Sequence, residues 1–287
     1  MTHEPTEITP RLLRGWPLPE AGSSKYERGS VLVVGGAART PGAVALAGLA
    51  ALRVGAGHLS AAVAEPVAIP LAVALPESGV TPLPATAGGS VSGEGLDVIA
   101  EQLQRADVVV VGPGLDAPDE TARLLQALVP LLGDETGLLL DAFALGALPH
   151  LDPPLRRPGR LLLTPNDQEA SRLLERAFGA TPDEVLEIAT RYEAVVACHD
   201  LIATPAGDLW RIGSGHAGLA TSGSGDVLSG AVAGVWARGA SPEQAACWGK
   251  QLHTTAGERL AARVGPLGFL AREIIDELPA VLRELSL

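Results

Sequence analysis

Residues 28–64 read RGSVLVVGGAARTPGAVALAGLAALRVGAGHLSAAVA. The apolar run 30–34 carries no polar break and ends in Gly35-Gly36. That is the pattern of a strand buried on both faces, with a turn at its C-terminal end. A helix follows, with Pro41 near its start, small side chains along it, and Gly55 and Gly57 after it. The stretch 58–64 predicts a second strand, so the chain opens β-α-β.

The same theme returns downstream. ADVVVVGPGL predicts a strand over 107–111 followed by Gly112-Pro113-Gly114, and a helix from about Pro118 to Leu132. Strands are predicted at 137–140, ending beside Asp141, and at 160–163, ending at Thr164-Pro165-Asn166. A helix runs through EASRLLERA, and Thr181 with Glu184 forms a capping box for another. VVACHDLIATPAGDLWRIG predicts strands around a turn at Pro205 to Asp208. Helices follow over 226–238, from the Ser241-Pro242 cap, through LHTTAGERLAAR and through LAREIIDELPAVLREL. Strands alternating with helices imply an α/β fold with a mostly parallel central sheet and helices on both faces. No low-complexity linker and no repeat interrupts the pattern, so residues 1–287 are read as a single domain. The Pro-rich, polar first 25 residues are expected to wrap the surface.

Composition narrows the partners. The chain has 287 residues, 47% hydrophobic, with a formal net charge of −12 and no basic stripe. Duplex nucleic acid and anionic membrane are therefore poor partners. Lys25 and Lys250 are the only lysines, so a phosphate-binding lysine has two candidates. Cys198 and Cys247 lie in apolar segments and give neither a disulfide framework nor a metal-binding pair. The opening residues lack an apolar signal core, and no long apolar span occurs, so a cytoplasmic protein is expected.

In parallel sheets, ligands bind beyond the carboxyl ends of the strands, where the Gly and polar punctuation above falls. GGAARTPGA has neither the Lys-Ser/Thr of a P-loop nor the GxGxxG spacing of a dinucleotide fingerprint. SGSGD at 222–226 is the stronger candidate. Gly223 and Gly225 allow successive N–H groups to converge, and the following helix adds its positive end. Such a nest suits a phosphate or a developing oxyanion. Asp226 would repel a resting phosphate, but it could take the proton from a hydroxyl that attacks one. The alternative is an ordinary Asp helix cap, and the motif alone leaves both open. Gly230 and Gly234 within the helix point to a second backbone lying close by, expected at the sheet centre. The histidines show no metal-ligand spacing, so no protein metal site is expected.

In order along the chain, ITPRLLRGWPLP, KYERGSVLVVGGAARTPGAVALAGLAALRVGAGHLSAAV, VVVGPGL, LLLDAFAL, LLLTPNDQE, GLATSGSGDVLSGAVAGVWARG and GFLAREIIDELPAVLREL resemble the ADP/ATP-dependent NAD(P)H-hydrate dehydratase family of the ribokinase-like superfamily. The resemblance implies a ribokinase-like lyase that repairs hydrated NADH or NADPH. The co-substrate would be ADP or ATP, with Mg²⁺ bound through the nucleotide phosphates. It implies Asp226 as the base and a nucleotide site at Gly223, Ser224, Gly225 and the segment Val196, Ala197, Cys198, His199 and Asp200. It places Ala43, Gly114 and Asn166, with Asp226, against the hydrate. A homo-oligomer, up to a tetramer, is implied as well.

The sequence departs from the family pattern in four places. Asn166 stands for a His, and Phe143 for an acid. His216-Ala217-Gly218 replaces NPG, and a gapless alignment puts Val196-Ala197 where a Lys-Gly pair is usual. The last change predicts weakened nucleotide binding. Two other readings stand beside the dehydratase: a small-molecule kinase that leaves the phosphate on its product, and a member that binds nucleotide without turnover. Ser224, where many kinases of the superfamily have Ala, favours the dehydratase.

Overall fold

The computed structural model describes residues 4–20 and 22–287. Its ten strands are β1 (Thr6–Ile8), β2 (Ser30–Gly35), β3 (His58–Ala64), β4 (Ser78–Leu83), β5 (Val108–Val111), β6 (Gly137–Leu140), β7 (Leu161–Leu163), β8 (Val195–Cys198), β9 (Leu201–Ala203) and β10 (Leu209–Ile212). The helices are α1 (Pro10–Gly15), α2 (Pro41–Arg53), α3 (Glu65–Ala74), α4 (Ala100–Arg105), α5 (Pro118–Leu128), α6 (Phe143–Ala147), α7 (Asp167–Leu174), α8 (Pro182–Tyr192), α9 (Ser224–Ala237), α10 (Pro242–Arg263) and α11 (Ala271–Ser286).

One sheet joins all these strands in the order β1-β10-β9-β8-β7-β6-β5-β2-β3-β4. β9 pairs antiparallel with β8 and β10, and the other pairings are parallel. Helices α2, α9, α10 and α11 pack together as one layer, and α5 to α8 as another. The central strands β5, β6 and β7 consist of Val and Leu with one Gly, and they are buried throughout because both faces are covered. Strand order reverses between β2 and β5, which creates a topological switch point at their carboxyl ends.

The expected elements are present, with local differences. Helix α5 ends at Leu128 and passes into a 3₁₀ turn over Val129–Leu131, where Pro130 lacks the N–H to continue it. The segment after 195 makes three strands: beside the expected turn near Pro205, a tight turn at His199-Asp200 joins β8 to β9. Residues 242–263 form one helix of 22 residues where two were expected. Ser241 caps it, but the Gln244 side chain donates to the carbonyls of Trp16 and Pro17, each at 3.0 Å, instead of closing a capping box.

That contact corrects the expected role of the opening segment. It does more than wrap the surface. β1 extends the sheet beside β10, Leu13 is fully buried, and Trp248 Nε1 donates to the Trp16 carbonyl at 3.0 Å. Gly230 and Gly234 also find a different neighbour from the one expected. A Cβ on them would lie 2.0 Å from the Ala47 carbonyl oxygen and 2.5 Å from that of Ala51. The close approach is therefore to helix α2, not to the sheet, and it seats the start of α9 above the strand ends.

Candidate active site

Gly223 stands at the N-cap of α9 with φ +86°, a conformation that favours glycine. Asp226 is the third residue of the helix and makes no capping bond, so the ordinary-cap reading of SGSGD does not hold. The first turn of a helix leaves its N–H groups without intrahelical partners, and here they rise beside a cleft. Gly225 has ordinary helical geometry, and nothing lies within 4 Å of where its Cβ would be. Its lack of a side chain keeps open space at the helix end; it is not needed for the backbone conformation.

The cleft encloses about 480 Å³, within the range of small-ligand sites. Asn166, Ala197, His199, Asp200, Ser224 and Gly225 line it together. Val196 and Cys198, expected beside them, do not: both are fully buried in β8, whose alternate side chains point away from the cleft. Asn166 lines this cleft, with its Oδ1 already committed. It accepts from the N–H groups of Gln168 at 2.9 Å and Glu169 at 3.0 Å, while Glu169 accepts from the Asn166 N–H. The residue that departs from the family pattern here is thus the N-cap of α7.

Ala43 and Gly114 lie outside the cleft, at the switch point. The two strand-end turns are joined there: the N–H of Gly36 donates to the Pro113 carbonyl at 2.9 Å, and that of Ala37 to Gly114 at 2.8 Å. Thr40 Oγ1 donates to the Gly114 carbonyl at 2.8 Å, one turn before Ala43. Gly114 has φ +70°, and a Cβ on it would sit 2.3 Å from the Thr40 carbonyl oxygen.

Three carboxyl groups gather at the strand ends near the start of α9. Burial, and then the charge of Glu169, push the Asp226 pKa up to about 6. Asp141 is pushed up to about 8 by burial first, then by Asp226 and Glu169. Thr164 Oγ1 donates to it at 2.8 Å. Glu169 is also raised, chiefly by burial. At neutral pH Asp141 is therefore protonated, and Asp226 remains an available base that is stronger than an ordinary carboxylate.

Three cleft residues, Lys250, His253 and Thr254, come from α10, far along the chain. His253 Nε2 lies 2.9 Å from Ser224 Oγ. Lys250, 9% exposed, lines the same cleft. Of the two lysines that the sequence offers, Lys250 is the one that lines the cleft, and it comes from α10 and not from 196–197. The only sequence signal was a lone Lys within ACWGKQLH, otherwise small, apolar or uncharged.

A family model described as NAD(P)H-hydrate dehydratase matches residues 31–280. The ADP-dependent (S)-NAD(P)H-hydrate dehydratase of Xanthomonas campestris is 42% identical over 287 residues, covering 97% of this chain and 96% of its own. A bifunctional NAD(P)H-hydrate repair enzyme of Moorella thermoacetica is 38% identical over 94% of this chain, which spans 52% of that relative. The ADP/ATP-dependent NAD(P)H-hydrate dehydratase of Bacillus subtilis, co-crystallised with ATP and Mg²⁺, superposes with a TM-score of 0.81 at 26% identity, covering 99% of this chain and all of its own. The glycine-started helix, the switch point and these likenesses agree: the chain belongs to the NAD(P)H-hydrate dehydratase family and has its ribokinase-like fold.

Proposed function

We propose that this chain restores hydrated NADH or NADPH to NAD(P)H, using ADP or ATP as phosphoryl donor. The observation that carries the reading is the position of Asp226. This carboxyl, raised to about 6, sits on the first turn of α9, with the nucleotide cleft at Gly225 and three carboxyl groups converging beside the strand ends.

The chemistry follows from those groups. Asp226 takes the proton from the ring hydroxyl of the hydrate. The freed oxygen attacks the terminal phosphorus of the nucleotide, and the bond from that phosphorus to its bridging oxygen breaks. The free N–H groups of the α9 start and the Ser224 hydroxyl hold the transferring oxygens. Hydroxide is a poor leaving group and phosphate a good one. The ring nitrogen's lone pair then expels phosphate from the adjacent carbon, and loss of a proton from the next carbon restores the double bond. Protonated Asp141 adds no second negative charge beside the incoming phosphates. Ala43 and Gly114 at the switch point, with Asn166 at the cleft, would border the hydrate, and Ala197, His199 and Asp200 the nucleotide.

Among the described residues, no group of three or more His, Cys, Asp or Glu side chains could hold a metal. A Mg²⁺ at this site would be carried on nucleotide phosphates and water, with few protein ligands. When bound there, the ion neutralises phosphate charge. A cytoplasmic setting accords with such substrates, and no described helix is long and apolar enough to cross a membrane. Ile69 and Val73, exposed on α3, support assembly of like copies.

The test is to incubate the protein with NADH hydrate and ADP or ATP and follow the returning absorbance of reduced nicotinamide. Recovery with either nucleotide is expected. No recovery with both, together with phosphoryl transfer to another alcohol, would sink the reading in favour of a kinase.

A further inference from the structure

We infer that the ammonium group of Lys250 binds the phosphate chain of the nucleotide, reaching the cleft from α10. The inference rests on the nucleotide reading of the cleft. Three observations carry it, and none of them depends on local sequence pattern.

The first is burial without a partner. Lys250 is 9% exposed and lines the cleft beside Ser224 and Gly225. Among the described residues, no hydrogen bond or ion pair engages its Nζ. A buried charge is costly unless something pairs with it. The second is that Asp200, the acid whose charge acts on Lys250, is already engaged. Asp200 pairs with Arg211 at 3.0 Å and lies 3.1 Å from His199 Nδ1. Lys250 is thus left free to face a ligand.

The third is the sign of the cleft. Asp167 and Asp200 line it, and Lys250 is the one Lys or Arg among its lining residues. The N–H groups of α9 supply partial positive charge at one end only. A nucleotide carrying several negative charges would meet net repulsion without Lys250. Burial pushes the Lys250 pKa down, and the nearby Cys198 and Asp200 oppose that shift. A bound phosphate would oppose it further and hold the group charged.

The experiment measures binding of ADP and of adenosine to the full chain by titration calorimetry. It compares wild type with Lys250→Met and Lys250→Arg. A lost charge-assisted contact predicts about a ten- to hundredfold weaker Kd for ADP in Lys250→Met. Adenosine, which has no phosphate, should bind both proteins alike, and Lys250→Arg should recover part of the loss. The Tm of Lys250→Met should equal or exceed that of wild type, because an unpaired buried charge is gone.

Unchanged ADP binding in Lys250→Met would overturn the inference. So would an equal loss for adenosine, which would assign Lys250 to the base or sugar, or to structure. Wild type that binds ADP but repairs no hydrate would refute the proposed activity, with the Lys250 contact still decided by the variants. Wild type that binds no ADP would overturn both.

Discussion

His253 Nε2 lies 2.9 Å from the hydroxyl of Ser224 and 3.0 Å from the carbonyl oxygen of the same residue. A carbonyl can only accept, so the neutral ring carries its proton on Nε2. Burial, and then the charge of Lys250, push the His253 pKa down to about 4, so the ring is neutral under ordinary conditions. The Ser224 hydroxyl accepts from the same N–H and keeps its own hydrogen for the cleft. Helix α10 thereby orients a donor at the start of α9.

His253→Ala removes that support. It removes a buried hydrogen-bond donor from Ser224 and leaves a cavity. A stability loss of about 1–3 kcal/mol is expected. The nucleotide KM should rise, because the Ser224 hydroxyl is no longer held. Thermal melts and steady-state kinetics check the two effects separately.

Asp226→Asn keeps the shape and removes the base. The expected loss in kcat is about 10²- to 10⁴-fold, with nucleotide binding preserved. The wild-type rate should rise with pH through a midpoint near the raised Asp226 value of about 6, since the base works only when deprotonated. A midpoint in the ordinary carboxylate range would point to a different base.

Two glycines of α9 should respond in opposite ways. Gly225→Ala places a methyl in open space on helical backbone, and stability should hold or rise by about 0.5–1 kcal/mol. The methyl would occupy the phosphate approach, so the nucleotide KM should increase. Gly230→Ala places a Cβ 2.0 Å from the Ala47 carbonyl oxygen, a clash with backbone. It should cost about 1–3 kcal/mol or more of stability. Equal Tm changes in the two variants would contradict the packing of α9 on α2.

Asp141 titrates near 8 in the folded chain against 3.8 ordinarily, so the folded state holds a proton that the unfolded state releases between those values. Its contribution to stability is complete below the lower value and is lost as pH rises through the upper one. Asp141→Asn needs no proton. The variant should therefore gain on wild type in chemical denaturation as pH rises from about 5 to about 9. Parallel curves would mean that Asp141 is ionised in the folded protein.

Most of the sheet, though not β1 or β4, was legible because its central strands are short, apolar and closed by Gly, Asp or Thr-Pro. VLVVGG, VVVVGPG and LLLD each declare both a strand and its carboxyl end. Gly223 and Asp226 were legible as a glycine-led helix start that carries an acid because both belong to one turn. The side chains of Val196 and Cys198 stay out of the cleft for a local reason. The tight His199-Asp200 turn keeps Val196 and Cys198 within a paired strand, where side chains alternate between faces.

By itself, the sequence determined the βα alternation, the carboxyl-end location of the candidate cleft and the turn that bears Asp226. These depend on periodicity and turn chemistry over a few residues. Only the tertiary structure decided that Lys250 and His253 join Ser224 and Gly225, that Glu169 raises Asp226, and that Asp226 and Glu169 raise Asp141. Those effects come from the packing of α10 against α9 and from burial of acids brought together from the end of β6 and the first turns of α7 and α9. Burial and electrostatic proximity depend on distance in space, which separation along the chain does not encode.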